Sequence, residues 1–148
     1  MKTIFDSESK KEILQRVDNL TSDSKPMWGK MSVGQMLTHC TRTLQAPAGD
    51  FYVKPSALRF IGRFFKKSYL YSNKPFSKNS PTAPEFVMTD AKVFNQEKEE
   101  FLRAFEKLCA GEQAVVVTLH SFFGQMTPAE WGRLMYKHLD HHLRQYGQ

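Results

Sequence analysis

The sequence predicts an all-α fold, a four-helix bundle with long crossover connections, on the strength of three observations. Four segments repeat apolar residues at three- and four-residue steps, the spacing of one helix face. Two of them begin with capping-box sequences. Strand propensity is concentrated in one run, VVVTL, and a single strand makes no sheet. A chain of 148 residues that is 41% hydrophobic can bury one core, so we predict a single domain over residues 1–148.

The first two predicted helices cover residues 7–20 and 33–46. The first has one apolar stripe and stops at TSDSKP, because Pro26 cannot continue a helix. In the second, Ser32 is placed as the N-cap and Gln35 completes a capping box. We expect the sequence APAGD to end this helix.

The remaining two predicted helices cover residues 89–110 and 128–145. Gly111 follows the third helix and suits the left-handed position after a helix end. The fourth helix has Thr127 as its N-cap, a proline at the first helical position and Glu130 completing the box. We interpret VVVTL, between these helices, as an extended crossover along the bundle.

A long connection, residues 47–88, separates the second and third predicted helices. Its stretch PSALRFIGRFFKKSYLY predicts a short extra helix within residues 55–71, and the following Pro-, Ser- and Asn-rich stretch should be irregular. The helix would carry on one side Phe60, Ile61, Phe64 and Phe65. Such a stretch usually packs its Phe residues on the domain and leaves Lys and Arg in water. It could also contact a membrane or an anionic partner, or give a homodimer its apolar face.

Composition limits the classes of function. The net charge is +6 and a tight basic run occurs only in RFIGRFFKKS, so a primary role in nucleic-acid binding is not favoured. No apolar run is long enough to span a membrane, and MKTIFDSESKKE lacks an apolar signal region, which predicts a cytoplasmic protein. We therefore expect Cys40 and Cys109 to be buried thiols, although one disulfide is possible.

Three of the five histidines lie in the fourth predicted helix, in YKHLDHHLRQYG. Each helical residue advances by about 100°, so His138 and His142 continue the apolar stripe of Trp131 and should face the interior. His141 lies to one side. An H-x-x-x-H pair can bind one metal ion, and the alternative is a helix end whose imidazoles hydrogen-bond to other side chains.

The other two histidines are harder to place from spacing. His39 lies beside the apolar stripe of the second helix, as a partly buried residue or as one that faces a cleft. His120 precedes the fourth helix and could approach the same end of the bundle, bond a carbonyl or face solvent. No G-x-S-x-G, P-loop, G-x-G-x-x-G or CxxC motif is present.

Two blocks of sequence resemble a known family. WGKMSVGQMLTHC and HSFFGQMTPAEWGRLMYKHLDHHLRQYG closely resemble the DUF1569 proteins, a branch of the DinB-like superfamily that also includes YfiT-like metalloenzymes. The resemblance implies a four-helix bundle with one divalent metal held by His39, His138 and His142. Relatives often have H-P-F-F-G where this chain has Ser121 in place of the proline, which loosens that turn.

The expected function is a metal-dependent enzyme. Three neutral imidazoles suit Zn²⁺, Ni²⁺ or Fe²⁺ and leave room for water or a small thiol, which predicts hydrolysis or S-transfer on an unknown small molecule. The alternatives are a ligand- or partner-binding bundle with a structural or vestigial metal and, more remotely, a basic nucleic-acid-associated protein. Residues expected around the ligands are His120, His141, Gln145, Trp131 and Gln35.

Overall fold

The structure, a computed structural model, describes residues 1–72 and 74–148. Within them the chain forms five α-helices: α1 (Ser7–Asp18), α2 (Val33–Ala48), α3 (Arg59–Tyr71), α4 (Phe94–Leu108) and α5 (Pro128–Gln145). Two short 3-10 helices, Pro84–Phe86 and Glu112–Ala114, and an antiparallel pair, β1 (Leu119–His120) with β2 (Gly124–Gln125), complete the described elements. The chain is mostly helical, at 54% of its residues, which is compatible with the predicted all-α class.

The core lies between four of the helices. α2 packs against α4 and α5, and α1 packs against α5. Their inward faces bury the apolar residues Ile13, Val17, Met36, Leu37, Leu44, Phe101, Phe105, Leu108, Leu134, Leu139 and Leu143. This packing joins α2 and α5, the two helices that carry four of the five histidines. Closure of α1, α2, α4 and α5 into a four-helix bundle stays a prediction.

Both predicted capping boxes are present. The hydroxyl of Ser32 accepts a hydrogen bond from the backbone N–H of Gln35 at 3.2 Å, and the Gln35 side chain accepts one from the Ser32 N–H at 2.9 Å. Thr127 and Glu130 repeat the arrangement at the start of α5. Each cap satisfies backbone donors and stabilises its helix by about 1 kcal/mol, which explains why these two helices begin where the sequence predicts.

The start of α4 was predicted wrongly. It begins at Phe94, because the preceding residues lie across the beginning of α2. There the Asp90 carbonyl accepts a hydrogen bond from Gln35 Nε2 at 2.9 Å, and a Cβ on Gly34 would be 2.9 Å from the Lys92 carbonyl oxygen. Tertiary contacts with α2 therefore hold the segment out of the helix.

Three other boundaries differ from the prediction, and the first is the end of α1, which stops at Asp18 instead of residue 20. α2 continues through Pro47 to Ala48 and ends at Gly49, whose φ of 81° is left-handed. The crossover lies beside this end, because the N–H groups of Val116 and Val117 both donate to the Pro47 carbonyl. α4 ends at Leu108 with Cys109 as its cap, so Gly111 is not its first residue beyond the end.

The extra helix in the 47–88 connection forms as α3, but its orientation contradicts the usual packing. Phe60, Ile61, Phe64 and Phe65 are 59%, 57%, 72% and 59% exposed. The inward side instead presents Gly62, where an added Cβ would clash with the Phe122 carbonyl oxygen. The backbone of α3 at Gly62 therefore packs against the loop between β1 and β2, which we call the hairpin loop. The aromatic side of α3 faces away from the domain.

Two further expectations concern membranes and thiols. Across the described residues, α1 to α5 included, no helix combines the length and the apolar character needed to cross a bilayer. Cys40 and Cys109 are buried and free. Burial raises the pKa of both thiols, that of Cys109 to about 12, so neither is a ready nucleophile at neutral pH.

Candidate metal centre

Three histidines meet where α2 faces α5. His39 comes from α2, and His138 and His142 come from successive turns of α5. One ring nitrogen of each lies within 4.8 Å of those of the other two, and His39 Nε2 is 3.0 Å from His138 Nε2. His39 and His142 are buried and His138 is half-buried. The arrangement is compatible with a metal site.

His39 is oriented by the connection that crosses its helix. Its Nδ1 lies 2.9 Å from the backbone carbonyl oxygen of Phe86, in the 3-10 helix Pro84–Phe86. A carbonyl can only accept, so Nδ1 carries the proton and donates. The lone pair of neutral His39 is then on Nε2, the atom that faces His138.

His142 is oriented by a relay through its own helix end. Its Nδ1 lies 2.9 Å from Gln145 Oε1, and Gln145 Nε2 donates to the Trp28 carbonyl at 2.7 Å. The Trp28 carbonyl fixes which end of the amide is the donor, so the amide oxygen accepts from His142 Nδ1. The unprotonated nitrogen of neutral His142 is again Nε2.

His138 is oriented by a hydroxyl on α2. Its Nδ1 lies 3.2 Å from Thr43 Oγ1, and this hydroxyl donates to the Cys40 carbonyl at 2.8 Å. When the hydroxyl proton lies on the Cys40 carbonyl, the Thr43 oxygen accepts from His138 Nδ1, which is the form of His138 that leaves Nε2 free to bind a metal. In that form all three rings donate from Nδ1 and leave Nε2 bare.

The electrostatics keep the three rings uncharged. Burial lowers the pKa of His39, and burial with the neighbouring His142 and His39 lowers that of His138 well below its usual value. Burial lowers the pKa of His142 to about 3. Neutral imidazole is the form that binds metal, so these histidines are ready ligands at pH 7.

The donor set matches what a divalent ion needs. Two bare Nε2 atoms 3.0 Å apart repel through their lone pairs unless a cation lies between them. Two imidazoles on one tetrahedral Zn²⁺, each with a Zn–N bond of about 2.0 Å, have nitrogens about 3.3 Å apart. The distance of 3.0 Å between His39 Nε2 and His138 Nε2 is close to this value.

His120 and Trp131, predicted to lie near the ligands, pack against each other with ring centroids 5.0 Å apart. His120 Nδ1 accepts from the N–H groups of Phe122 and Phe123, both at 3.0 Å, and burial lowers its pKa to about 4. The indole N–H of Trp131 is buried without a hydrogen-bond partner among the described residues. His120 thus closes the hairpin loop, and Trp131 supplies an unused donor beside it.

The other predicted neighbours have different positions. The ring centroid of His141 is 5.1 Å from that of His142, but His141 is outside the group of three and packs near Trp28. Gln145 orients His142, as described. Both ends of the Gln35 amide are used at the start of α2, on Ser32 and Asp90, which places it at a helix cap.

Sequence reasoning missed three groups that orient the ligands. Thr43 is one turn after His39 on α2, so helical spacing could have placed it at the cluster. The carbonyls of Phe86, at the end of a 3-10 helix, and of Trp28, in a loop, are backbone atoms, which no sequence pattern identifies.

A separate cavity of about 410 Å³ lies on another face of α5 and includes none of the three histidines in its lining. Among its lining residues are Glu12, Arg133, Tyr136, Lys137, Asp140 and Arg144. Several of these side chains already bond to each other. The Tyr136 hydroxyl, for example, donates a hydrogen bond to the Glu12 carboxylate at 3.0 Å. The histidine cluster is therefore the better candidate for chemistry.

Comparison with known proteins gives a match to a protein family. No curated protein and no solved structure matches the chain. The model of a family of proteins of unknown function, DUF1569, matches residues 2–148, nearly the whole length. The chain therefore belongs to the DUF1569 family.

Proposed function

We propose that this protein binds one divalent metal ion through the Nε2 atoms of His39, His138 and His142. The observation that carries the proposal is the shared orientation of the three rings. The Nδ1 atom of each lies within 3.2 Å of a fixed oxygen, and the Nε2 atoms of His39 and His138 face each other at 3.0 Å. Outer hydrogen bonds of this kind are what metal-ligating histidines use to fix their tautomer.

We further propose that the bound ion serves catalysis. Closed structural zinc sites use four protein ligands, whereas catalytic sites use three and add water or substrate. A metal held by three neutral imidazoles supplies a Lewis acid that lowers the pKa of water or of a thiol. Zn²⁺, Ni²⁺ and Fe²⁺ all accept such ligands. The resemblance to DinB-like metalloenzymes supports the same ligand set and hydrolysis or S-transfer on a small molecule.

The chain's own residues would organise such a reaction. Thr43, Gln145 and the Phe86 carbonyl hold the imidazoles in place. His120 and Trp131 form an aromatic pair that could wall the substrate space. The unused indole N–H of Trp131 would be satisfied by an acceptor atom on a substrate or by water.

Titration with Co²⁺, followed by visible absorption, tests this proposal. The wild-type protein should give the intense ligand-field bands of a four- or five-coordinate ion. Adding 2-mercaptoethanol should produce a new near-ultraviolet band as sulfur enters the coordination sphere. His138→Ala should lose both signals, and His141→Ala, the matched control from the same helix turn, should keep them.

The outcomes separate the proposed functions. Co²⁺ bands that form but do not change when the thiol is added would contradict an accessible metal. They would favour a ligand- or partner-binding protein with a structural metal. Absence of bands in the wild-type protein would contradict the metal site itself.

A further inference from the structure

The outward face of α3 is mostly apolar, interrupted by the exposed Ser68. Each residue turns about 100° around a helix, so the exposed large residues fall within an arc of about 160°. In angular order around the axis they are Phe60, Tyr71, Phe64, Ile61, Phe65 and Leu58. All six are between 45% and 72% exposed. Exposed clusters of this kind on a soluble domain mark an interaction site.

Basic residues border this apolar arc on one side. Lys67 and Arg63 follow Phe60 at about −20° and −60° around the axis, by the same rule. The guanidinium of Arg63 lies 4.8 Å from the Phe64 ring centroid, and that of Arg59 lies 4.8 Å from the ring of Phe60. The cations therefore lie beside the aromatic face and not on the far side of the helix.

The charge of the surrounding segment has one sign. Residues 51–84 contain seven of the 21 Lys and Arg residues and none of the 15 Asp and Glu residues. The rest of the chain has 14 basic and 15 acidic residues, so the net charge of +6 arises in this segment. A partner that covers the face must offer negative charge as well as an apolar surface.

The helix is held with this face outward. Lys66 Nζ donates to the Gln125 carbonyl at 2.8 Å and pairs with the Glu130 carboxylate at 2.9 Å. Lys137 Nζ donates to the carbonyls of Tyr69 at 2.7 Å and Ser72 at 2.9 Å, at the end of α3. With Gly62 against the Phe122 carbonyl, these contacts fix the inward side.

We propose that α3 docks on the surface of an anionic phospholipid bilayer. An amphipathic helix with aromatic residues on one face and Lys and Arg beside them lies in the interfacial plane, with its apolar side among the acyl chains. Acidic headgroups pair with the basic border. A second copy of the chain fits less well, because its own residues 51–84 carry no acidic side chain that could pair with the basic border.

Vesicle co-sedimentation tests the proposal with the full-length protein. The probes are vesicles of phosphatidylcholine alone and of equal parts phosphatidylcholine and phosphatidylserine. We expect the wild-type protein to bind the mixed vesicles, to bind phosphatidylcholine alone much more weakly, and to be released by salt.

Two double variants separate the apolar and charged contributions. F60S/F64S should weaken partition by about tenfold or more, since two aromatic side chains no longer enter the bilayer. R63E/K67E should weaken it by roughly fivefold for each charge removed. The matched controls V93S/V116S and K11E/K25E, at exposed positions on other elements, should bind as the wild type does. Far-ultraviolet circular dichroism of every variant reports whether the fold is intact.

Three results would overturn the proposal. One is wild-type protein that does not bind the mixed vesicles. Another is an F60S/F64S variant that binds as well as the wild type, which would mean that vesicle binding comes from general charge attraction alone. The third is a wild-type dimer in sedimentation velocity that F60S/F64S converts to monomer without any vesicle binding, which would make the face a self-contact.

Discussion

His39 Nε2 and His138 Nε2 lie 3.0 Å apart, although 99 positions separate the two residues in the chain. Each ring uses its other nitrogen elsewhere, on the Phe86 carbonyl and on the Thr43 hydroxyl. Without a cation between them, one ring must take up a proton, or His138 must change tautomer so that Thr43 donates to its Nδ1 and its Nε2 donates to His39. The pKa of both rings is lowered, which disfavours the proton.

Thr43 should set the orientation of His138. Thr43→Val removes the hydroxyl that accepts from Nδ1 and should weaken metal binding by about 10- to 100-fold, the usual effect of losing an outer partner. Competition titration of Zn²⁺ against a chromophoric chelator measures this. Thr41→Val is the control, since Thr41 is also buried on α2 but bonds only the Leu37 carbonyl. Equal affinities for the two variants would contradict this role for Thr43.

Gln145 should have two separable roles. Gln145→Met removes the acceptor for His142 and the donor to the Trp28 carbonyl, so both metal affinity and stability should fall. The stability loss should be roughly 1–3 kcal/mol, the cost of unpaired buried polar groups. Gln145→Glu keeps the acceptor but loses the donor, so it should retain most of the affinity while remaining destabilised. Denaturant unfolding of metal-free protein and Zn²⁺ titration test the two roles, and parallel losses in both variants would refute the separation.

Acid should destabilise the metal-free protein. The folded-state pKa of His39, His120, His138 and His142 lies below the ordinary 6.5, at about 4 for His120 and about 3 for His142. The unfolded chain therefore binds more protons as pH falls from 6.5 toward these values. The free energy of unfolding should decrease in that window by up to about 1.4 kcal/mol per pH unit for each histidine.

Urea unfolding at pH 7 and pH 5 checks this after treatment with a chelator. His120→Gln should have a shallower pH dependence by about one proton, because one titrating group is gone. A stability that does not change between the two pH values would show that the rings are not buried in the neutral form.

Gly62 should be required for the position of α3. Gly62→Ala improves helix propensity by about 1 kcal/mol, yet its Cβ meets the Phe122 backbone carbonyl, which cannot move cheaply. We expect a net loss of about 1–3 kcal/mol in the free energy of unfolding. Ser68→Ala, at an exposed position of the same helix, should be neutral or slightly stabilising. A stabilised Gly62→Ala would show that α3 is not in close contact with the hairpin loop.

The sequence predicted those features that local rules control. α5 begins and ends where the caps and the apolar stripe indicate, and the same helical period puts His138 and His142 on one face. His39 was proposed as a ligand from the family resemblance, because its spacing alone allowed other readings. Its position beside His138 depends on how α2 packs on α5.

Features that depend on tertiary contacts were not predictable in this way. The start of α4 depends on the Asp90 carbonyl meeting Gln35, and the outward face of α3 depends on Gly62 fitting against Phe122. An amphipathic pattern identifies two sides of a helix but does not say which side the domain covers. The carbonyls that orient His39 and His142 were missed because a backbone oxygen has no sequence signature.

Metal content of untagged protein tests the central claim most directly. Purified protein is incubated with Zn²⁺, Ni²⁺ or Fe²⁺, freed of excess ion and analysed by inductively coupled plasma mass spectrometry. We predict about one equivalent of one of these ions in the wild type and in His141→Ala, and almost none in His138→Ala, where two imidazoles are too few to hold it. Wild-type protein that stays metal-free with all three ions would contradict the account.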